Sequence, residues 1–368
     1  MKYPRIRKHL VTVPVDKGIL IGSCENTNIE IEDTEGLFTS ILFYCDGTND
    51  LASIHSNLKS EGYEISSEEL MNIIQQFSEV EYIMEDAAND LEIENKERQS
   101  RNLNFLSNFD AKGDKKYEYL QNIVDSTVMI IGLGGAGTNL IYNLASFGVK
   151  KIIGIDYDEV EISNLNRQIL YKEADVGMKK VSAAQRALSE FNSSIEFIGI
   201  DKKVNSSSEI ESMLEQYECD YLLCAADQPS LKILQWCNTA CMKTGTIWSY
   251  SNMVEYVSRF QTIIPGITSC YECLEQEIFQ FEEAKEKYIQ LLSGKYGAQN
   301  DCILANSSLL ASMLTFDLIK LLAGINHSNI ASLNHIVQID HFTNDVTHQE
   351  VSRHQNCSCW SKKESLIC

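Results

Sequence analysis

Two rhythms of apolar and polar positions divide this chain. In the first 95 residues the apolar positions come in short bursts. Leu10-Val11-Thr12-Val13, Gly18-Ile19-Leu20-Ile21 and Ile29-Glu30-Ile31, the last with a period of two, predict two or three short strands. Helical spacing follows over 34–45, 51–60 and 67–77, with capping residues expected to open the first and third of these helices. A hairpin with three short helices is the outline of a small winged-helix-like α+β module. From residue 126 the rhythm changes. Apolar runs over 127–132, 151–156, 195–200, 220–225 and 245–250 alternate with helical patterns, which predicts an α/β fold with a doubly wound, Rossmann-like sheet. Segments 256–265, 335–341 and 346–351 are expected to add antiparallel strands. Ile303 to Ala323 reads as a long apolar core helix stopped by Gly324.

The polar, charged stretch 86–115 separates the two rhythms and reads as a linker with a short helix. The chain thus has three parts: a module over 1–95, a linker and arm over 96–125, and a larger domain over 126–368. The module's phrase Cys45-Asp46-Gly47-Thr48-Asn49-Asp50-Leu51-Ala52 resembles the leader-peptide recognition modules of enzymes that modify ribosomal peptides. Such a module can take a peptide as an extra strand on a sheet edge. A DNA-reading module would need a basic recognition helix. Residues 66–86 instead carry Glu68, Glu69, Glu79, Glu81, Glu85 and Asp86 and no Lys or Arg.

The densest chemistry lies in the larger domain. Strand 127–132 runs into Gly132-Leu133-Gly134-Gly135-Ala136-Gly137 and then an apolar helix. That turn lets backbone amides approach phosphates at a helix N-terminus. Asp156 ends the next strand about 20 residues on, where a ribose hydroxyl needs an acceptor. The glycine pattern alone fits a dinucleotide-dependent oxidoreductase equally well. The residues after Asp156 narrow the choice: Asp158, then Asn164, Arg167 and Gln168 at helical spacing, then Lys180. A guanidinium, amides and an ammonium together make a clamp for polyphosphate. Asp227, after the strand ending at Ala225, has a carboxylate suited to Mg²⁺, or to capping the next helix before Pro229.

These words, in this order, resemble the ubiquitin-activating-type (ThiF/MoeB-like) adenylyltransferases that activate small sulfur-carrier proteins. Arg98-Gln99-Ser100-Arg101-Asn102, Ala226-Asp227-Gln228-Pro229 and Cys270-Tyr271-Glu272-Cys273 extend the likeness over about 97–360. Within that superfamily the chain is most similar to the peptide-adenylating branch of microcin C biosynthesis. The resemblance implies ATP and Mg²⁺, an acyl-adenylate formed with release of pyrophosphate, and a ribosomally made peptide as substrate. The alternative is the C-terminus of a ubiquitin-like sulfur carrier. It implies Arg167, Lys180, Asn164 and Asp227 as catalytic residues, Asp227 holding Mg²⁺, and a homodimer in which Arg101 reaches the partner's nucleotide. Gly132, Gly134, Gly135, Ala136, Gly137, Asp156, Asp158 and Gln168 would bind the nucleotide.

Cysteine usage adds one more site. The chain has 12 cysteines. They are too scattered for a secreted disulfide framework and read as reduced thiols. Cys270-x-x-Cys273 with Cys357-x-Cys359 suits a tetrahedral structural zinc fastening the C-terminal tail. A pair with two intervening residues is usual in the similar enzymes where only Ser358 intervenes here, so His354 stays open as a replacement for one thiolate. Cys302, in a polar run over 297–302 before the long helix, is the one thiol to watch as an attacker of the adenylate, or is an ordinary loop cysteine. The formal net charge of -21 opposes contact with nucleic acid. No uninterrupted apolar span of membrane length and no signal peptide is seen, so a cytoplasmic protein with no membrane partner is expected.

Overall fold

A computed structural model describes residues 1–7, 10–22, 29–80, 82–85, 96–110, 115–229, 231–279, 287, 302–355, 357 and 359. The stretches 86–95 and 111–114 of the expected linker, and 297–301 ahead of Cys302, lie outside them. The chain divides into two compact units, Met1–Gln121 and Asn122–Cys368.

In the first unit β1 (Pro4–Ile6) pairs antiparallel with β5 (Ile83–Glu85), and β2 (Val11–Val15), β3 (Gly18–Gly22) and β4 (Ile29–Glu32) form an antiparallel sheet in that order. This is one strand more than a hairpin. Three helices cover it: α1 (Leu37–Tyr44), α2 (Leu51–Ser60) and α3 (Ser67–Glu79). Ile19, Ile21, Ile41, Ile54, Leu58 and Leu70 make the core. The capping pattern differs from expectation. For α1 the N-cap is Gly36, in the left-handed region, and Asp33 supplies the capping carboxylate by accepting from Phe38 N and Thr39 N, so the helix starts later. The second helix, not only the third, is capped: Asp50 accepts from Ser53 N, and Ser66 and Glu69 close a capping box on α3. Arg101 lies on α4 (Lys96–Leu106). The buried guanidinium of Arg7 donates to Ser107 O and Asp110 O just beyond that helix, which ties this part of the expected linker to the module.

The second unit opens with the end of α5 (Lys116–Asp125) and is built on an eight-stranded sheet. Its parallel strands are β6 (Thr127–Ile131), β7 (Lys151–Asp156), β8 (Glu196–Asp201), β9 (Tyr221–Cys224) and β10 (Ile247–Val254). Antiparallel β11 (Val257–Ile263), β12 (His335–Asp340) and β13 (Val346–Glu350) complete it, in the spatial order β13-β12-β11-β10-β9-β6-β7-β8. The chain therefore runs outward from β6 to β8 and then returns to the other side of β6 at β9. Loops leaving β6 and β9 diverge there, and the carboxyl ends of these two strands open a crevice.

The helices are α6 (Gly135–Phe147), α7 (Lys180–Phe191), α8 (Ser207–Tyr217), α9 (Lys232–Thr244), α10 (Tyr271–Ile278) and α11 (Leu304–Ala323). Among the described residues α11 is the one helix long and apolar enough to cross a membrane. It lies instead against α6, where Asn143 Nδ2 donates to Thr315 Oγ1 and Ser308 Oγ to Asn139 Oδ1. Leu310, Leu314 and Leu318 are buried and Gly324 ends the helix at φ 77°. Asp317, 3% exposed on that apolar helix, accepts from Ser332 N and Ser332 Oγ. Hydroxyls continue the chain of hydrogen bonds through Thr262 and Ser249 to Tyr221, crossing β11, β10 and β9. Burial raises the Tyr221 phenol, so it stays protonated. Asp317→Ala leaves buried donors unpaired and is expected to cost about 2–4 kcal/mol of stability. The urea midpoint measures this; a wild-type midpoint would mean the network carries no stability.

Candidate active site

The crevice at β6 and β9 holds a cleft of about 340 Å³. Its floor is the turn after β6. Gly132 has φ 93°, and a Cβ there would lie 2.7 Å from Ala226 N. At Gly137 a Cβ would lie 2.0 Å from Gly132 O. No side chain fits at either position, because the turn folds onto itself and onto the end of β9. Gly134 is the N-cap of α6 and offers no side-chain cap, so the first amides of the helix keep their donors for a ligand. Tyr171 donates its hydroxyl to Leu133 O, and burial holds that phenol well above its ordinary value. The turn is therefore fixed from below as well.

Asp156 is 8% exposed at the end of β7. Its carboxylate accepts from Leu133 N at 2.7 Å and Asp158 N at 2.9 Å. It thus shapes the glycine turn in addition to lining the cleft, and each oxygen keeps a further lone pair for a ribose hydroxyl. Lys180, at the start of α7, reaches Asp158 Oδ2 at 2.8 Å and Asp156 Oδ2 at 3.9 Å, with its side chain 7% exposed. A buried ammonium between two carboxylates is held in one place.

Asn164, Arg167 and Gln168 reach the same cleft, although not from a helix. A 3-10 turn covers Ile162–Asn164, and Arg167 N and Gln168 N both donate to Asn164 O. Asn164 Oδ1 accepts from Glu161 N at 3.1 Å and closes the turn early. Gln168 Oε1 is buried and has no hydrogen-bond partner among the described residues. Such an atom lining a cleft is suited to a ligand or water. Arg167 donates to Ser163 O and Asn166 Oδ1, with its stem beside Gly135. Asp227 is exposed at the cleft beyond β9. It does not cap a helix, since α9 starts at Lys232 with Leu231 as its N-cap.

Of the residues singled out in the sequence, Gly132, Gly134, Gly135, Ala136, Asp156, Asp158, Asn164, Arg167, Gln168, Lys180 and Asp227 all line this one cleft. Gly137 packs beneath it, and Arg101 belongs to the other compact unit. Sequence reasoning missed Lys202 and Lys203 after β8, Ser251 to Met253 at the end of β10, and Ser307 on α11. Carboxyl ends of strands were the available signal for the first two groups. Cys302 also lines the cleft, 2.8 Å from Ser307 Oγ. Ser307 Oγ also donates to Ile303 O.

The four cysteines form a second site. Cys270, Cys273, Cys357 and Cys359 are all buried, with their sulfurs within 4.8 Å of one another. Cys270 lies 3.3 Å from Cys357, Cys273 lies 3.4 Å from Cys359, and Cys270 lies 3.9 Å from Cys273. Zinc with Zn–S bonds of about 2.3 Å needs tetrahedral sulfurs roughly 3.8 Å apart, which these match. The fourth corner is Cys359; His354 contributes its backbone N–H, to Cys273 Sγ at 3.3 Å. Burial pushes the Cys357 thiol up to about 12. Four thiolates in such a place would need a cation to balance their charge.

The chain is similar to several known proteins. Caenorhabditis elegans SUMO-activating enzyme subunit uba-2 is 30% identical over 160 residues, which is 44% of this chain and 27% of that protein. The Escherichia coli sulfur carrier protein ThiS adenylyltransferase is 30% identical over 155 residues, 42% of this chain and 60% of that protein. The chain spans about a quarter to three fifths of the length of the curated relatives it matches. Among solved structures, Escherichia coli MccB with ATP has a TM-score of 0.74 at 23% identity, covering 98% of this chain and 100% of that one. The microcin C7 biosynthetic enzyme MccB in complex with N-formylated MccA gives 0.74 at 24%, covering 97% and 99%. The two structural likenesses concern the fold alone. Residues 99–361, a span that takes in the glycine turn, the clamp after β7 and all four clustered cysteines, match the ThiF family, and the chain belongs to that family.

Proposed function

We propose that this protein is a Mg-ATP-dependent adenylyltransferase that activates a carboxylate of a ribosomally made peptide. The observation that carries this is the convergence of the glycine turn, Asp156, Lys180, Arg167 and Asp227 on one cleft at the reversal of strand order. ATP lies with its phosphates over Gly134 to Gly137 and its ribose on Asp156. A substrate carboxylate, already ionised at neutral pH, attacks the α-phosphorus in line, and pyrophosphate leaves. No general base is needed. Arg167 and Lys180 stabilise charge developing on the phosphoryl oxygens and leaving group, while Asn164 and Gln168 orient the phosphate chain. Asp227 would hold Mg²⁺, which when bound supplies further neutralisation of the phosphates. Arg101 completes the nucleotide site of a partner copy in a homodimer. Zinc at the four cysteines fastens the C-terminal tail.

A peptide rather than a folded carrier is favoured by the first unit. Both outer strands of its three-stranded sheet, β2 and β4, have an edge unpaired among the described residues, and Val11, Val13 and Val15 of β2 are exposed. Sheet edges of this kind take extended peptides by strand addition. The MccB structure with N-formylated MccA supports the same reading. Nucleic acid and membrane have no part in this scheme, and the protein acts in the cytoplasm. Pyrophosphate release is expected to require a short peptide encoded beside this gene. Release that instead requires a folded carrier ending in Gly-Gly would replace the peptide with the sulfur-carrier alternative.

A further inference from the structure

The edge of the large sheet gathers metal-ligating side chains away from the cleft. Where β12 pairs with β13, His335 lies directly opposite Glu350, and His348 lies opposite Val337, two residues along from His335. Opposite residues of an antiparallel pair share a face, as do residues two apart on one strand. His335, His348 and Glu350 therefore form a triangle on one face of this hairpin. Its sides between Cβ atoms run from roughly 5 Å for the direct pair to roughly 7 Å for the other two. The two rings are in edge contact, with centres 6.5 Å apart and planes at 82°.

The half-buried ring of His335 is set for ligation. Its Nδ1 lies 2.9 Å from Leu333 O. A carbonyl only accepts, so Nδ1 carries the proton of the neutral ring and Nε2 keeps its lone pair. Donation of the second ring N–H to a backbone carbonyl is the usual support of a histidine that holds a metal. His348 and Glu350 are exposed, and among the described residues neither side chain makes a hydrogen bond or an ion pair that an ion would have to break. Two imidazoles on one tetrahedral zinc, with Zn–N bonds of about 2.1 Å, have ring centres roughly 5 Å apart. Closing the present gap asks only for a small rotation of the exposed His348 ring.

We propose that His335, His348 and Glu350 form a second metal site, for a divalent late transition-metal ion such as Zn²⁺ or Ni²⁺, with water in the remaining positions. Two imidazoles and one carboxylate are a donor set for these ions, whereas Ca²⁺ and Mg²⁺ call for oxygen alone. The net charge of -21 draws a cation toward the protein. β13 is the outermost strand and is exposed at every residue, so an ion bridging it to β12 clips the edge of the sheet in place. The chain runs on from β13 to Cys357 and Cys359, so this ion holds the start of the segment whose far part belongs to the cysteine site.

The test uses the full chain, purified without an affinity tag, and Ni²⁺ as the probe. Equilibrium dialysis followed by elemental analysis should find about one Ni²⁺ taken up per chain in addition to the metal already present. His335→Ala, His348→Ala and Glu350→Gln should each weaken that uptake about tenfold or more. His348→Ala removes an exposed side chain and should melt like the wild type without Ni²⁺, while losing the rise in melting temperature that Ni²⁺ gives the wild type. His341→Ala serves as the control: its Nε2 is engaged by Ser258 Oγ at 2.6 Å, and its loss should leave Ni²⁺ affinity unchanged. No uptake at millimolar Ni²⁺, or uptake that survives all three substitutions, would overturn the site. So would uptake confined to the cysteines, marked by thiolate-to-nickel absorption and indifferent to His348→Ala.

Discussion

Asp227→Ala and Arg167→Ala are each expected to cut peptide-dependent pyrophosphate release by a factor of about 100 or more while the protein stays folded. The expectation of an intact fold comes from where the two side chains stand. Asp227 is exposed at the cleft, and the N-cap of α9 is Leu231. Arg167 is half-buried, and its guanidinium bonds go to Ser163 and Asn166 in its own turn, so its loss disturbs only that turn. Both would act on charge that develops as pyrophosphate departs, which is why the loss should fall on kcat more than on KM for ATP. Release assays paired with thermal melts separate the cases. A variant with full activity would remove its residue from the proposed chemistry, and one that fails to fold would show that the structural account of that residue is mistaken.

Removal of zinc is expected to have the largest effect on stability. Cys270 and Cys273 at the start of α10 are joined by Cys357 and Cys359 from far along the chain. Structural zinc in small sites contributes on the order of 10 kcal/mol, part of it by closing such a loop. Elemental analysis should find about one zinc per chain, following the four-ligand count. A strong chelator, or Cys273→Ser, should lower the melting temperature by about 10 °C or more, since each kcal/mol shifts a domain of this size by several degrees. Metal-free protein that melts at the same temperature with and without chelator would return these thiols to simple packing.

Much of this was legible in the sequence where one local rule governs the outcome. The glycine turn could be read because Gly132 and Gly137 face backbone at distances no side chain tolerates, and that need is written in residue identity. The parallel strands β6, β7 and β9 could be read because both their faces are buried, which leaves continuous apolar runs. The start of α1 could not, because its capping carboxylate sits at Asp33, ahead of a left-handed Gly36, and only the folded turn brings it to Phe38 and Thr39. The pair β1 and β5 was invisible for another reason: strands of three residues joined across nearly the whole module carry no periodicity of their own. Ser251 and Asn252 belong to no motif; their interest arises from where β10 ends relative to β9. Cys359 was one of two candidates until the fold placed its sulfur beside Cys273 and brought His354 to that thiol through its backbone N–H.

The return of the chain from β8 to β9 gives the cleft a seam. Up to Val204 the lining residues come from the stretch that begins at Ile131, and from Ala225 onward a second stretch takes over. One continuous piece of sequence therefore carries the glycine turn, Asp156 and the clamp after β7, and a later one carries Asp227, the end of β10 and Ser307. A chimera cut between β8 and β9 would exchange one half of the site as a unit.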